Sequence, residues 1–504
     1  MEGQRTVVVG AGISGLATAW YLTGAPGDPR VTLLDSADSP GGRIRTVDLD
    51  GFEVDTGPDA VLFRSPAVRE MLTALGLDGE VRAPARRTAY LWSGGDLRVM
   101  PRGSVFGVPD RLLPLVASGL VSWAGILRAG ADLVLPRRGT DGDPSISQLL
   151  RPRFGRQVCE RLVEPLLCGV HAGRADVLSA RSTVPEVVGI ARDSRSIYLG
   201  LRRSAPATPA SGDGPPPPVL VTLRHGLGQL VRALRDDLPS GCLRTRTPAT
   251  ALARSGTGWL VSCGDGTAIE ADAVVLATPA AATASLVEPL SADLARLLSG
   301  IRYAGVATVT FLHPLPGIGR DLDATGFLVP PADGRLIVGC TWSSAKWPQL
   351  AHEDLAVVRC AVGRDGDQRW TGMDDGTLVA RVRRELEESM GLTGPSRRVL
   401  VTRWPGAMPQ YAVGHAARLE AIDAEVASLP GLALTGAAYR GPGLAGCITQ
   451  AAAAAGRVLE GLGPAGRQEP GARVPVPVAG PVPDGPGRGV APDGTGRSDG
   501  PGRL

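Results

Sequence analysis

The stretch Gly10-Ala11-Gly12-Ile13-Ser14-Gly15 constrains this chain more than any other. It follows a short apolar strand, Thr6-Val7-Val8-Val9, and opens a helix read from about Ile13 to Leu22. A second strand, Val31-Thr32-Leu33-Leu34, ends in Asp35, 20 positions after Gly15. A lone GxGxxG carries little weight. Strand, glycine turn, helix and a downstream acid together are what a dinucleotide-binding βαβ unit requires. Gly10 permits the tight turn, Gly12 lets backbone approach a pyrophosphate, and Gly15 lets helix and strand pack closely. The helix N-terminus offers unpaired N–H groups to phosphate, and Asp35 is the expected acceptor for ribose hydroxyls. The competing reading is an ordinary glycine turn. This spacing does not separate NAD from FAD.

Other features narrow the class. The 53 basic and 50 acidic residues are interleaved and leave a net charge of +3, so no basic stripe argues for nucleic acid. Lys346 is the only lysine. The seven cysteines are odd in number and none forms a CxxC pair; with no leader read at the N-terminus, they point to a reducing, cytoplasmic setting. The histidines show no HxxxH or HExxH spacing, and no metal site is expected. The apolar run Leu112–Leu127 is interrupted by Pro114, Gly119 and Gly125 and falls short of the ~20 residues a spanning helix needs. It reads as a buried or interfacial helix.

Along the chain, residues from about 60 to 105 alternate strand-like and helical stretches, and Pro109 to about Ser182 is mainly helical. Strands resume around Leu243–Ala253, Trp259–Cys263 and Ala273–Ala277, and a helix is expected from about Asp375 to Met390. Residues 204–219 read as a proline-rich loop. The tail 463–504, with 11 glycines and 9 prolines, reads as disordered.

Further blocks bear on the cofactor. Pro40-Gly41-Gly42-Arg43 follows the second strand and resembles the GG motif of amine-oxidase-like flavoproteins, which lies along the FAD pyrophosphate. Phe52-Glu53-Val54-Asp55-Thr56-Gly57-Pro58-Asp59 resembles a strand and turn that passes the flavin in that superfamily. Near the C-terminus, Leu434-Thr435-Gly436-Ala437 leads through Gly441-Pro442-Gly443 into an alanine-rich helix. A helix N-terminus aimed at the flavin can stabilise negative charge on the reduced ring. Ala437 stands where many flavoproteins have an acid, so a ribityl contact from that side chain is not expected. The bland reading is an alanine-rich surface helix.

Five more blocks, in order, resemble the oxygen-dependent porphyrinogen oxidases of haem biosynthesis, especially the bacterial coproporphyrinogen III oxidase branch. They are Met100-Pro101-Arg102-Gly103, Glu164 to Gly173, Cys340 to Pro348, Val362-Gly363-Arg364, and Thr402 to Tyr411. His171 and Ala361 depart from the tyrosine and the aromatic common in relatives. The resemblance implies an α/β architecture: a Rossmann-like FAD-binding domain, a substrate domain with an antiparallel sheet plus helices, and a helical domain. The expected borders are 1–60 with 220–285 and 400–462; 61–105 with 186–203 and 286–399; and 106–185.

It also implies that FAD is held by Gly10, Ala11, Gly12, Ile13, Ser14, Gly15, Asp35, Ser36, Gly42, Arg43, Gly57, Pro58, Asp59, Ala60, Ala249, Trp404, Pro442, Gly443 and Leu444. No conventional catalytic base stands out; the chemistry is centred on the flavin. Arg64 is the candidate for a substrate propionate, against a plain surface arginine. His171 is the candidate for a substrate hydrogen bond, against a packed polar residue. The resemblance offers Lys346 as a counterpart of the lysine–water pair of amine oxidases, but between Trp342 and Trp347 it reads as structural. The implied partners are a porphyrinogen and O2, with a membrane surface or the next haem-pathway enzyme at the helical domain. The expected activity is FAD-dependent oxidation of coproporphyrinogen III with release of H2O2. Its rivals are protoporphyrinogen IX oxidation, an amine oxidase or desaturase, and a non-catalytic flavin- or porphyrin-binding protein.

Overall fold

The computed structural model describes residues 4–26, 29–101, 104–136, 142–204 and 218–461. The expected tail, and residues 205–217 of the expected loop, lie outside them. A five-stranded parallel sheet forms the first core, in the order Leu243–Arg244, Arg30–Leu34, Arg5–Val9, Ala273–Leu276, Leu432–Leu434. Alternation along its strands sends Val8, Leu33 and Val275 to one face and Val7, Leu34 and Val274 to the other. Helices Ile13–Thr23 and Leu444–Glu460 cover the first face, and Ala280–Val287 with Ala292–Ser299 the second. Burial on both sides explains why these strands are continuous apolar runs.

The second core belongs to a seven-stranded sheet, in the order Arg398–Pro409, Tyr303–Pro314, Leu355–Val362, Ile337–Trp342, Gly326–Leu328, Tyr90–Ser93, Asp96–Val99. Its pairs are antiparallel except that of Gly326–Leu328 with Tyr90–Ser93. Helix Asp375–Met390 lays Leu378, Val382, Leu386 and Met390, spaced by four, against Val309, Phe311 and Val358.

A third, helical core gathers Leu115, Ile146, Phe154, Leu162, Leu167 and Leu201. The apolar run expected as one helix is two, Leu112–Ser118 and Trp123–Gly130, because Gly119 adopts a left-handed φ of 62° and ends the first. Leu113, Trp123 and Leu127 are left exposed. Among the described residues no helix is long and apolar enough to cross a membrane.

Packing draws the borders between these cores differently from the sequence at four places. Val61 to Leu77 joins the first core through Val68, Met71 and Leu72. Val187 to Leu201 continues the helical core. Leu286 to Ile301 packs on the second face of the parallel sheet. Residues 400–409 lie in a strand of the seven-stranded sheet, paired along Tyr303–Pro314. Each is a long-range contact that periodicity does not report.

Candidate functional site

The site begins at the glycine turn. Gly10 has a φ of 98°, and its N–H donates to Leu34 O at 2.7 Å, locking the turn to the second strand. A Cβ on Gly15 would stand 1.7 Å from Gly10 O, whereas one on Gly12 would meet nothing within 4 Å. The third glycine is therefore needed for packing, and the second fronts open space. Helix Ile13–Thr23 starts at Gly12 with no side-chain cap and no acid in its first turn. Asp35 accepts the Ala11 N–H at 2.5 Å and the Ala37 N–H at 2.8 Å, so its carboxylate stands fixed beside the turn. Ser36 is exposed. Ala249 opens a strand two residues after Thr247, whose N–H donates to Asp35 O at 2.8 Å.

Two segments close on this turn. Gly41 N–H donates to Ala11 O at 2.8 Å, and a Cβ on Gly42 would lie 3.2 Å from Gly12 Cα. The neighbouring Arg43 donates to Gly406 O at 2.8 Å and sits over the Tyr303 ring. The turn from Thr56 to Asp59 lies against this segment. Thr56 N–H donates to Arg45 O at 2.9 Å, and a Cβ on Gly57 would come within 1.8 Å of Arg43 O. Trp404 donates its indole N–H to Thr56 O at 3.1 Å. Pro58, Asp59 and Ala60 are half-buried.

The terminal helix supplies the third side. It starts at Gly443 with no side-chain cap and no first-turn acid, and Leu444 packs on the first core. Gly443 is exposed, while Gly441 and Pro442 are half-buried. Tyr411 ties this approach down, donating to Ala437 O at 2.7 Å and accepting from Gly441 N–H at 2.9 Å. Cys447, in the first turns of this helix, packs in the same core as Ile13 and Leu16 of the fingerprint helix. Two uncapped helix N-termini thus converge near an open glycine, which is an anion cradle. These residues fit the pyrophosphate of a dinucleotide and an electron-accepting ring beside it.

The carboxylates at the turn are shifted in opposite directions. Burial pushes Asp55 up to about 6, against hydrogen bonds from Thr46 and the Leu227 N–H. Burial also opposes charge on Asp59, but Lys346 and Arg359 outweigh it and hold its carboxyl well below the usual range. Lys346 Nζ lies 2.8 Å from Asp59 Oδ2, and the same oxygen accepts the Trp347 indole N–H at 3.0 Å. Arg359 donates to the carbonyls of Thr56 and Gly57. Sequence reasoning set Lys346 aside as structural and did not consider Arg359. The lysine stands 287 residues from Asp59, and the signals for it were its being the sole lysine and the likeness to the amine-oxidase lysine.

Other candidates lie apart from this cradle. Arg64 is exposed between strand Val61–Leu62 and helix Pro66–Ala74, with no ion pair among the described residues. His171 ends helix Glu164–His171; burial lowers it to about 4, so it is neutral at pH 7 and offers a hydrogen-bonding group rather than a charge. A cavity of about 610 Å³ lies between helices of the third core and the 331–334 and 364–369 segments. Its lining includes Arg151, Arg174, Arg364 and Arg369, but Glu164, Asp176, Asp365 and Asp367 line it too, which cancels its pull on anions.

The family model described as flavin containing amine oxidoreductase matches residues 13–459. The chain is 32% identical over 466 residues to the coproporphyrinogen III oxidase of Bacillus subtilis (strain 168), covering 90% of this chain and 98% of the relative. It is 34% identical to that of Propionibacterium freudenreichii subsp. freudenreichii, covering 90% of each. The crystal structure of a putative protoporphyrinogen oxidase from Exiguobacterium sp. 255-15 superposes with a TM-score of 0.80 at 30% identity, over 90% of this chain and 97% of that one. Reduced UDP-galactopyranose mutase, at 17% identity and a TM-score of 0.68, shares the fold. With this site and these matches, the chain belongs to the flavin containing amine oxidoreductases, in the branch that includes the coproporphyrinogen III oxidases, and its cofactor is FAD.

Proposed function

We propose that this protein is an oxygen-dependent coproporphyrinogen III oxidase of haem biosynthesis, converting coproporphyrinogen III to coproporphyrin III with release of H2O2. The observation that carries the reading is similarity to coproporphyrinogen III oxidases along nearly the whole chain, motif blocks included. When bound, FAD supplies two-electron acceptance and reoxidation by O2. The chain's residues orient and shelter. Gly10 to Gly15, with Gly42 and Arg43, cradle the pyrophosphate; Asp35 and Ser36 face the adenosine ribose, with Ala249 beside it. Gly57 to Ala60, Trp404 and Pro442 to Leu444 line the ring. The three units act as a flavin unit, a substrate unit and a helical unit. Leu113, Trp123 and Leu127 give the helical unit an exposed apolar face for a membrane surface or the next haem-pathway enzyme, in a cytoplasmic setting.

Protoporphyrinogen IX is the second reading, because the chain is also 32% identical to the protoporphyrinogen oxidase of Bos taurus. Coproporphyrinogen III carries two more propionates, and each charge-assisted bond contributes ~1.5–3 kcal/mol. Two such pairs would shift kcat/KM by more than about tenfold if sheltered from solvent, and by little if exposed. Fluorescence of the product and peroxide release, measured for both porphyrinogens in one assay, decide the matter. Preference for coproporphyrinogen supports the proposal; equal values or the reverse preference overturn the substrate. No peroxide from either leaves a flavin-binding protein without this activity.

A further inference from the structure

The turn from Thr56 to Asp59 belongs by sequence to the stretch that follows the fingerprint, yet it is suspended from the seven-stranded sheet. Thr56 O accepts the Trp404 indole N–H at 3.1 Å and the Thr308 hydroxyl at 3.3 Å, and Arg359 donates to Thr56 O and Gly57 O. Asp59 Oδ2 accepts from both Lys346 and Trp347, and Lys346 also lies over the Trp347 ring at 4.5 Å. These donors come from the strands Tyr303–Pro314, Leu355–Val362 and Arg398–Pro409 and from the short helix Ser343–Lys346 with the residue after it. A cavity of about 10 Å³ lined by Asp55, Asp59, Trp347, Gln349 and Arg359 adjoins the cluster, room for about one water. Gln349 Oε1 is buried there without a partner. Lys346 is 14% exposed and Asp59 23%, so the pair is shielded from the screening that weakens surface ion pairs.

We propose that Lys346, Asp59 and Arg359 are positioning residues that fix the flavin-side turn to the substrate sheet and set the charge beside the flavin. The proposal rests on the reading that residues 56–59 line the flavin, and it deepens that reading. Lys346 and Arg359 face the carboxylates of Asp59 and Asp55, two positive groups against two that are ionised at pH 7. Removing Lys346 leaves this corner with an excess of negative charge, and removing the Asp59 charge leaves it with an excess of positive charge. Positive charge favours a reduced, anionic ring. The two substitutions therefore push the flavin in opposite directions, which loss of packing does not do.

The test uses full-length, FAD-loaded protein. Lys346→Met is expected to lower the flavin midpoint potential and Asp59→Asn to raise it, each shifting the visible absorption band. Lys346→Arg is expected to restore both properties. In turnover, Lys346→Met should lower kcat roughly tenfold through misplacement of the turn, with little change in KM. Unchanged potential and spectrum in Lys346→Met, or shifts of the same sign in Lys346→Met and Asp59→Asn, overturn the proposal. Should Lys346→Met not fold, Lys346→Gln with Asp59→Asn supplies the same comparison of signs. The potential and spectrum need no porphyrinogen, so a wrong substrate leaves this test intact.

Discussion

At the scale of the residue, Gly12 and Gly15 belong to one motif and have different jobs. A Cβ at 15 collides with Gly10 O, while a Cβ at 12 enters open space. Gly15→Val should therefore abolish the folded protein. Gly12→Val should fold with the thermal midpoint of the apoprotein and fail to bind FAD, read by flavin fluorescence after gel filtration. A Gly12→Val protein that retains yellow flavin refutes the placement of the pyrophosphate. Asp55 gives a pH signature. Its folded value of about 6 lies above the ~3.9 of an unfolded aspartate, so between these pH values the folded protein binds the extra proton. Stability should fall as pH rises from about 4 to about 6, by up to about 3 kcal/mol, and then level off. Asp55→Asn should flatten that part of the profile in thermal unfolding. An identical slope in the variant would show that another group carries it.

Among elements, the terminal helix is informative because its first N–H groups have no side-chain cap and no acid beside them. An aspartate at the N-cap would hold this helix start by only about a few tenths of a kcal/mol more than glycine, yet Gly443 occupies the cap and no acid follows in the first turn. Gly443 has φ −79° and ψ 162°, which any residue can adopt, and a Cβ there meets nothing within 4 Å. The local fold has no need of glycine at this position, whereas a ligand drawn up to the helix end would need the space. Gly443→Asp should leave the apoprotein as stable or slightly more so, and weaken FAD binding at least about tenfold, because the new carboxylate takes the N–H groups and repels negative charge. Titration of apoprotein with FAD reads the affinity. Unaltered binding would remove this helix end from the flavin site. The same logic accounts for the uncapped start at Gly12.

For the whole molecule, three cores meet where strands from distant parts of the chain are paired. The parallel sheet takes its central strand from residues 5–9 and its neighbours from 30–34 and 273–276. Local sequence was enough for Gly10 to Asp35, because a turn, a helix start and a strand end are each encoded by a few adjacent residues. It was enough as well for helix Asp375–Met390, whose apolar residues recur every four positions. It did not reveal that residues 400–409 extend the seven-stranded sheet, since a strand's own alternation is the same whichever sheet it joins. Nor could it bring Lys346 and Arg359 to Asp59, because an ion pair across nearly 300 residues leaves no periodicity behind. The sequence by itself determined the dinucleotide turn, through steric limits on backbone within a short stretch. Only the tertiary structure decided which charges surround it, because those depend on the packing of one core against another.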